Sequence, residues 1–358
     1  MFKLEPRVEF SPMISFLGPL FSIVLTMIFG GILFFFLGVD PVAAIKMIFW
    51  DPLMSETFAE YSRPQILIKA APLILIALGL SLGFKANIWN IGAEGQYIMG
   101  AIFGATFALS IYPLESVFIF PAMIIAGIIG GGIWAMIPAI LKVKFKVNEI
   151  LVSLMLVYVA EQILALASLG FLRNPDGAGF PGSRNLNDYP SASNLELING
   201  TGIHLGVLIS LLMVIFFYIL LFRHSLGFKI KLIGHSPKAY AFSGDSPNKM
   251  VVICLLVSGG LAGVAGLFEV AGPAGQITID FNVGYGFTAI IVAFLGRLNP
   301  IGIFFAGTIM ALTYVGGELT QFMLNLPAAA IQVFQGMLLF FLLSFDLFVN
   351  YKLKFLKD

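Results

Sequence analysis

Apolar runs of roughly 20 residues recur along the whole chain, and no other feature restricts its fold as strongly. A helix needs about 20 such residues to cross the ~30 Å hydrocarbon core of a bilayer. Hydrophobic residues make up 59% of the sequence and charged residues only 11%, where soluble domains carry about 25% charged residues. The fold class expected is an all-α polytopic membrane protein, with residues 1–358 forming a single transmembrane domain. A net charge of +1 shows no bias toward nucleic acid or acidic ligands. The single cysteine, Cys254, lies in an apolar run; it excludes a disulfide framework within the chain and reads as a small buried side chain. Ser11–Gly38 is longer than a signal-peptide core and no small-residue cleavage site follows it, so it is expected as a retained first span.

Ten spans are expected: Pro12–Gly38, Ala70–Gly83, Asn90–Tyr112, Val117–Leu141, Asn148–Gly170, His204–Phe222, Met250–Ala271, Tyr285–Gly296, Ile301–Gly316 and Ala329–Val349. With both termini inside, the cytoplasmic segments carry Lys3, Arg7, Lys85, Lys142, Lys144, Lys146, Arg223, Lys229, Lys231, Lys238, Lys249, Arg297, Lys352, Lys354 and Lys357. The outer segments carry Lys46, Arg63, Lys69, Arg173 and Arg184. The ratio of 15 to 5 follows the rule that basic residues gather on the cytoplasmic side. Residues 171–203 are then an outer loop and residues 223–249 a cytoplasmic one, with Ser183 and Ser236 on opposite faces. Ala70–Gly83 and Tyr285–Gly296 would each reach only about 20 Å as helices, so either neighbouring residues extend them or they are broken helices.

Between two apolar stretches lies NIWNIGAEGQYIMG, Asn87–Gly100. Its first part echoes a distant segment. In Asn90–Gly104 and Asn282–Gly296, Asn90 aligns with Asn282, Ile91 with Val283, Gly92 with Gly284 and Gly104 with Gly296. The two copies cross in opposite directions in this topology, which is the pattern of an inverted repeat with broken helices and points to a solute path. Asn90 and Asn282 would cap half-helices whose first N–H groups lack partners. The alternative is that Asn87–Gln96 is an interfacial turn after Lys85. Candidate pathway residues are Asn90, Glu94, Gln96, Glu161, Asn282 and Thr288. Glu161 lies deep in its span, where an ionisable group is either functional or a hydrogen-bonded packing residue. Asn148 and Glu149 read as a helix cap with an acidic first turn. Gly259, Gly260, Gly263 and Gly266 recur at helical spacing and read as close helix packing.

Other motifs carry no chemistry. Gly177–Gly182 matches GxGxxG but follows no strand and opens no helix. His204, His224 and His235 form no metal-ligand cluster. No catalytic residues, metal ligands or phosphate-binding loop of the GxxxxGK[ST] type are found, so any ATP must be bound by another chain. In the inner loop, Ser236 can cap a short helix with Pro237 in its first position and Gly244 at its end.

The chain resembles a permease subunit of ABC importers, in the ribose, nucleoside and branched-chain amino-acid group. The stretches that carry the resemblance are NIWNIGAEGQ, VNEILVSLMLVY, LGFKIKLIGHSPKAYAFSG, SGGLAGVAGL and GYGFTAIIVAFLGRLNPIG. In order and spacing they cover nearly all of Ala70–Ile303. NIGAEGQ and VNE are similar to the branch paired with basic-membrane-lipoprotein-type binding proteins, known mainly for nucleosides.

The resemblance implies a pore-forming, non-enzymatic subunit in a bacterial cytoplasmic (inner) membrane. It would carry nucleosides or related small polar solutes such as simple sugars. Its partners would be ABC ATPase subunits that bind ATP and Mg, a second homologous permease and an extracytoplasmic substrate-binding protein. Ser236, Pro237, Lys238, Ala239, Tyr240, Ala241, Ser243 and Gly244 match the family's coupling helix, and Tyr240 is the residue expected to enter the ATPase groove. One departure is Val157, where the branch often has asparagine; if it faces the pathway, the substrate would differ. The 171–203 loop is read as a platform for the binding protein, or else a mobile spacer. A rival function is an ion- or proton-coupled secondary transporter, which would need more buried ionisable groups and no ATPase.

Overall fold

In the computed structural model, residues 2–6 and 12–355 are described; Arg7 and Lys357, two of the basic residues used for orientation, lie outside them. The described chain forms fourteen α-helices: α1 (Pro12–Phe36), α2 (Pro41–Phe49), α3 (Asp51–Met54), α4 (Ala59–Lys85), α5 (Ala93–Ser110), α6 (Ile119–Phe145), α7 (Glu149–Leu169), α8 (Leu205–Phe222), α9 (Ser225–His235), α10 (Pro237–Phe242), α11 (Pro247–Val270), α12 (Tyr285–Leu295), α13 (Pro300–Leu324) and α14 (Ala328–Asn350). Each expected span coincides with one of them. Among the described residues, α4, α6, α7, α8, α11 and α13 are long and apolar enough to cross a membrane, and Leu20–Phe36, Ile279–Leu295 and Ala328–Leu342 are shorter apolar helical stretches.

By its internal contacts the chain divides into two compact units. One comprises Met1–Ile66 with Leu312–Asp358, the other Leu67–Ala311. In the first, Phe34 and Phe334 stack between α1 and α14 with ring centroids 5.7 Å apart. The backbones of Phe2–Pro6 and Tyr351–Phe355 pair as antiparallel strands. The short helices α2 and α3 were not anticipated; Asp40 caps α2 by accepting from the N–H of Val42.

The core of the second unit is α5 enclosed by α6, α7, α11 and α12. Three of these helices meet backbone to backbone. A Cβ on Gly100 of α5 would collide with Gly263 of α11, and one on Gly263 would collide with the carbonyl oxygen of Gly127 on α6. Gly259 and Gly266 make similar approaches to Gly131 and Tyr97. The small-residue reading of α11 therefore holds for Gly259, Gly263 and Gly266, while Gly260 has only ordinary contact distances.

The alternative left open for Ala70–Gly83 resolves toward extension, and the outer loop is tied to its own chain. Ala70–Gly83 is not a broken helix: α4 runs 27 residues, extended at its start by about three turns that include Glu60, Arg63 and Lys69. The outer loop is hydrogen-bonded to the segment that follows α11. Leu186 N–H donates to the Gly275 carbonyl at 2.7 Å and Asn194 N–H to that of Ala271 at 2.6 Å. Ser183 is buried, its Oγ accepting from the N–H of Ile277 at 2.9 Å, so it offers no accessible position for surface labelling.

Candidate functional site

The two asparagines of the sequence echo make the same local turn. Asn90 Oδ1 accepts from the N–H of Gly92 at 3.0 Å, and Asn282 Oδ1 from that of Gly284 at 3.3 Å. The helix caps themselves are Gly92 and Gly284, so each asparagine shapes the approach to its helix rather than occupying the cap position expected for it. Gly284 has φ +83°, a left-handed conformation that a Cβ disfavours. The helix it opens, α12, has 11 residues and is about 16 Å long at 1.5 Å per residue. It therefore remains the short segment read from the sequence.

The starts of α5 and α12 meet at Glu94. This carboxylate is fully buried. Its Oε1 accepts from the N–H of Gly284 at 3.1 Å, and Oε2 accepts from the N–H of Gly286. A carboxylate on one helix thus satisfies the orphan donors at the start of another, where the helix dipole also favours negative charge. Tyr97, one turn along α5, stacks on Phe281 with centroids 5.3 Å apart.

Asn90 and Gln96 form a reciprocal amide pair. Asn90 Nδ2 donates to Gln96 Oε1 at 2.8 Å, and Gln96 Nε2 donates to Asn90 Oδ1 at 3.1 Å. Asn90 Nδ2 also donates to Ser258 Oγ of α11 at 3.0 Å. With the Gly92 bond, both donors and both acceptor sites of the Asn90 amide are engaged within the chain. Thr288 is buried on α12. Neither Asn90, Glu94, Gln96 nor Thr288 reaches an open surface. Glu161 and Asn282 differ: both are half-buried, and Asn282 Nδ2 donates to Glu161 Oε1 at 2.7 Å. Val157 does not face outward either. It is buried behind Gly95 of α5, while the next residue, Tyr158, is exposed.

Two serines missed by sequence reasoning hold this core together, beside the cap that the sequence offered at Asn148 and Glu149. Ser258 binds Asn90, and Ser153 Oγ accepts from the N–H of Ile91 at 3.2 Å. Glu149 pairs with Lys142 and accepts from the N–H of Trp89 at 3.3 Å. Asn148 caps α7, accepting from the N–H of Ile150 at 3.0 Å.

The expected short helix in the basic loop is present as α10, and it follows a second, unforeseen helix, α9. Ser236 Oγ accepts from the N–H of Ala239 at 3.3 Å, Pro237 opens the helix, and Gly244 leaves it at φ +88°. Lys229 donates to Asp245 at 2.7 Å, a hydrogen bond that raises the ammonium's pKa above its ordinary value. Pro237, Lys238, Ala239, Ala241, Ser243 and Gly244 are exposed. Tyr240 is not: only 3% of its surface is accessible. The ring expected to enter a partner groove is instead spent fixing α10 to its own chain. Phe242, 91% exposed, is the large side chain that α10 offers outward.

The sequence pattern of the family described as "Branched-chain amino acid transport system / permease component" matches residues 63–343. A glucose ABC transporter permease protein of Haloferax volcanii is 31% identical, over 98% of this chain and 93% of its own. A guanosine ABC transporter permease protein of Bacillus subtilis is 25% identical, over 92% of this chain and 93% of its own. A nucleoside ABC transporter permease protein of Lactococcus lactis is 27% identical, over 91% of this chain and 90% of its own. These matches run through the Glu94 junction and α10 alike. The chain belongs to this family of transport-system permeases: it is a membrane-spanning permease subunit of an ABC importer, paired with another permease and driven by separate ATPase subunits.

Proposed function

We propose that this permease carries a nucleoside or a simple sugar into the cell across the bacterial cytoplasmic membrane, and that an extracytoplasmic binding protein delivers the solute. The observation that carries the reading is near full-length similarity to permeases of both classes, glucose on one side and guanosine and other nucleosides on the other. The two classes share a chemistry, a ring ether bearing several hydroxyls. Glu161 and Asn282 are the candidate pathway residues whose side chains are not enclosed, and together they offer an acceptor and a donor for such hydroxyls. Asn90, Glu94, Gln96 and Thr288 act behind them, holding the starts of α5 and α12 in place. The basic asymmetry of the sequence supports placing α10 on the cytoplasmic side, where Pro237–Gly244 is the contact with the ATPase, and the 171–203 loop outside.

The test is uptake into proteoliposomes containing this chain, its second permease, the ATPase subunits and the binding protein. Labelled guanosine or glucose should accumulate only with ATP. Accumulation of neither sinks the substrate reading. Accumulation driven by an ion gradient without ATPase would point to a secondary carrier instead.

A further inference from the structure

We propose that the exposed face of α7 lines the solute path, and that Tyr158 and Gln162 join Glu161 and Asn282 in contacting the solute. This rests on the nucleoside-or-sugar reading above. Residues three and four apart share a helix face, so Tyr158, Glu161 and Gln162 lie together. Leu151, Met155, Tyr158, Gln162 and Leu166 are all exposed, forming one stripe along a 21-residue helix. Its ends are apolar and its centre is polar. At the centre of a span the headgroups are out of reach, and an amide facing lipid has no partner. Another helix shows what a face suited to lipid looks like in this protein. On α8 the exposed Leu208, Leu211, Leu212, Ile215, Phe216 and Ile219 are apolar, and the one exposed tyrosine, Tyr218, lies in the last turn and a half rather than at the centre.

The chemistry of the α7 face suits a neutral polyhydroxylated ring. One Glu161 oxygen is held by Asn282 at 2.7 Å, which fixes the carboxylate while leaving it capacity for further donors. The Gln162 amide supplies both a donor and an acceptor. Tyr158 presents an aromatic face to the apolar side of a sugar or a base, and a hydroxyl beside it. The enclosed residues Asn90 and Gln96 have no comparable capacity, because their amides bind each other.

The experiment uses the full complex in lipid, with Cys254→Ala removing the chain's own thiol and the partners free of reactive cysteines. Tyr158→Cys, Gln162→Cys and Ile215→Cys are exposed separately to a charged methanethiosulfonate that does not enter hydrocarbon. Tyr158 and Ile215 are similarly accessible in this chain, at 56% and 58%, so surface area alone would not separate them. The Tyr158→Cys and Gln162→Cys variants should react several-fold faster than Ile215→Cys, and guanosine or glucose, whichever the unmodified complex transports, should slow them. Gln162→Leu should raise the half-saturating solute concentration about threefold to tenfold, the worth of one hydrogen bond, with ATPase association unchanged.

Reaction no faster than at Ile215 overturns the proposal, since lipid or the second permease then covers the face. Rapid labelling that the transported solute does not slow overturns solute contact. If the unmodified complex transports neither probe, the substrate class fails, while the labelling ratio still decides whether α7 lines an aqueous path.

Discussion

Glu94 and Gly286 stand 192 positions apart, yet one binds the backbone of the other. Removing an acceptor from such a buried site costs about 1–3 kcal/mol, because the N–H groups left behind have no water to turn to. Glu94→Gln places an amide N–H group against backbone donors that the carboxylate accepted from, and Glu94→Leu abandons them all. Both variants should lower the thermal unfolding midpoint of the purified complex as well as uptake, Glu94→Leu more. A loss of uptake with an unchanged midpoint would instead give Glu94 a role in the path itself. The polar residues of this junction were legible in the sequence because they interrupt apolar runs. Their partners were not. Ser258 and Ser153 are small, lie inside apolar runs, and become meaningful only when α11 and α7 are folded against Asn90 and Ile91. Val157 illustrates the same difficulty, since its neighbour Tyr158 differs by one step of 100° around the helix, and that step separates the inside from the open face.

Helices were easier to read than their ends. The expected Ala70–Gly83 fell short because Arg63 and Lys69 end the apolar run, but helix formation does not require apolar residues. The α4 backbone continues through Arg63, whose guanidinium donates to the Leu53 carbonyl at 2.6 and 3.0 Å. The existence, cap and stop of α10 were legible from Ser236, Pro237 and Gly244. Its facing was not, because six residues give fewer than two turns and define no hydrophobic stripe. The outward knob is Phe242, and Phe242→Ala should remove an interface anchor worth about 2 kcal/mol, or roughly thirtyfold in ATPase affinity. Co-purification and stimulated ATP hydrolysis in lipid would measure it. Tyr240→Phe keeps the packed ring and should leave docking intact. Normal ATPase association of Phe242→Ala would remove Phe242 from the contact.

At the scale of the molecule, the helical membrane-spanning class was legible, because it follows from the cost of placing polar groups in hydrocarbon. The division into two compact units was not, since hydropathy records how apolar a helix is and not which helices it meets. The proposed orientation has a direct test in the Cys254→Ala background. Phe180 and Phe242 are 76% and 91% exposed, and Phe180→Cys and Phe242→Cys should react with an impermeant thiol reagent from outside and inside respectively. Reaction from the same side would refute the ten-span arrangement. The glycine contacts among α5, α6 and α11 also bear on how such a permease can move. Carbonyl oxygens of one helix lie where the next has no side chain, so a sliding step would jam oxygen against Cα. The three helices are therefore expected to move as one block rather than slide past one another. A disulfide engineered between α5 and α11 should then leave the transport rate unchanged, and a lost rate would show that these helices slide.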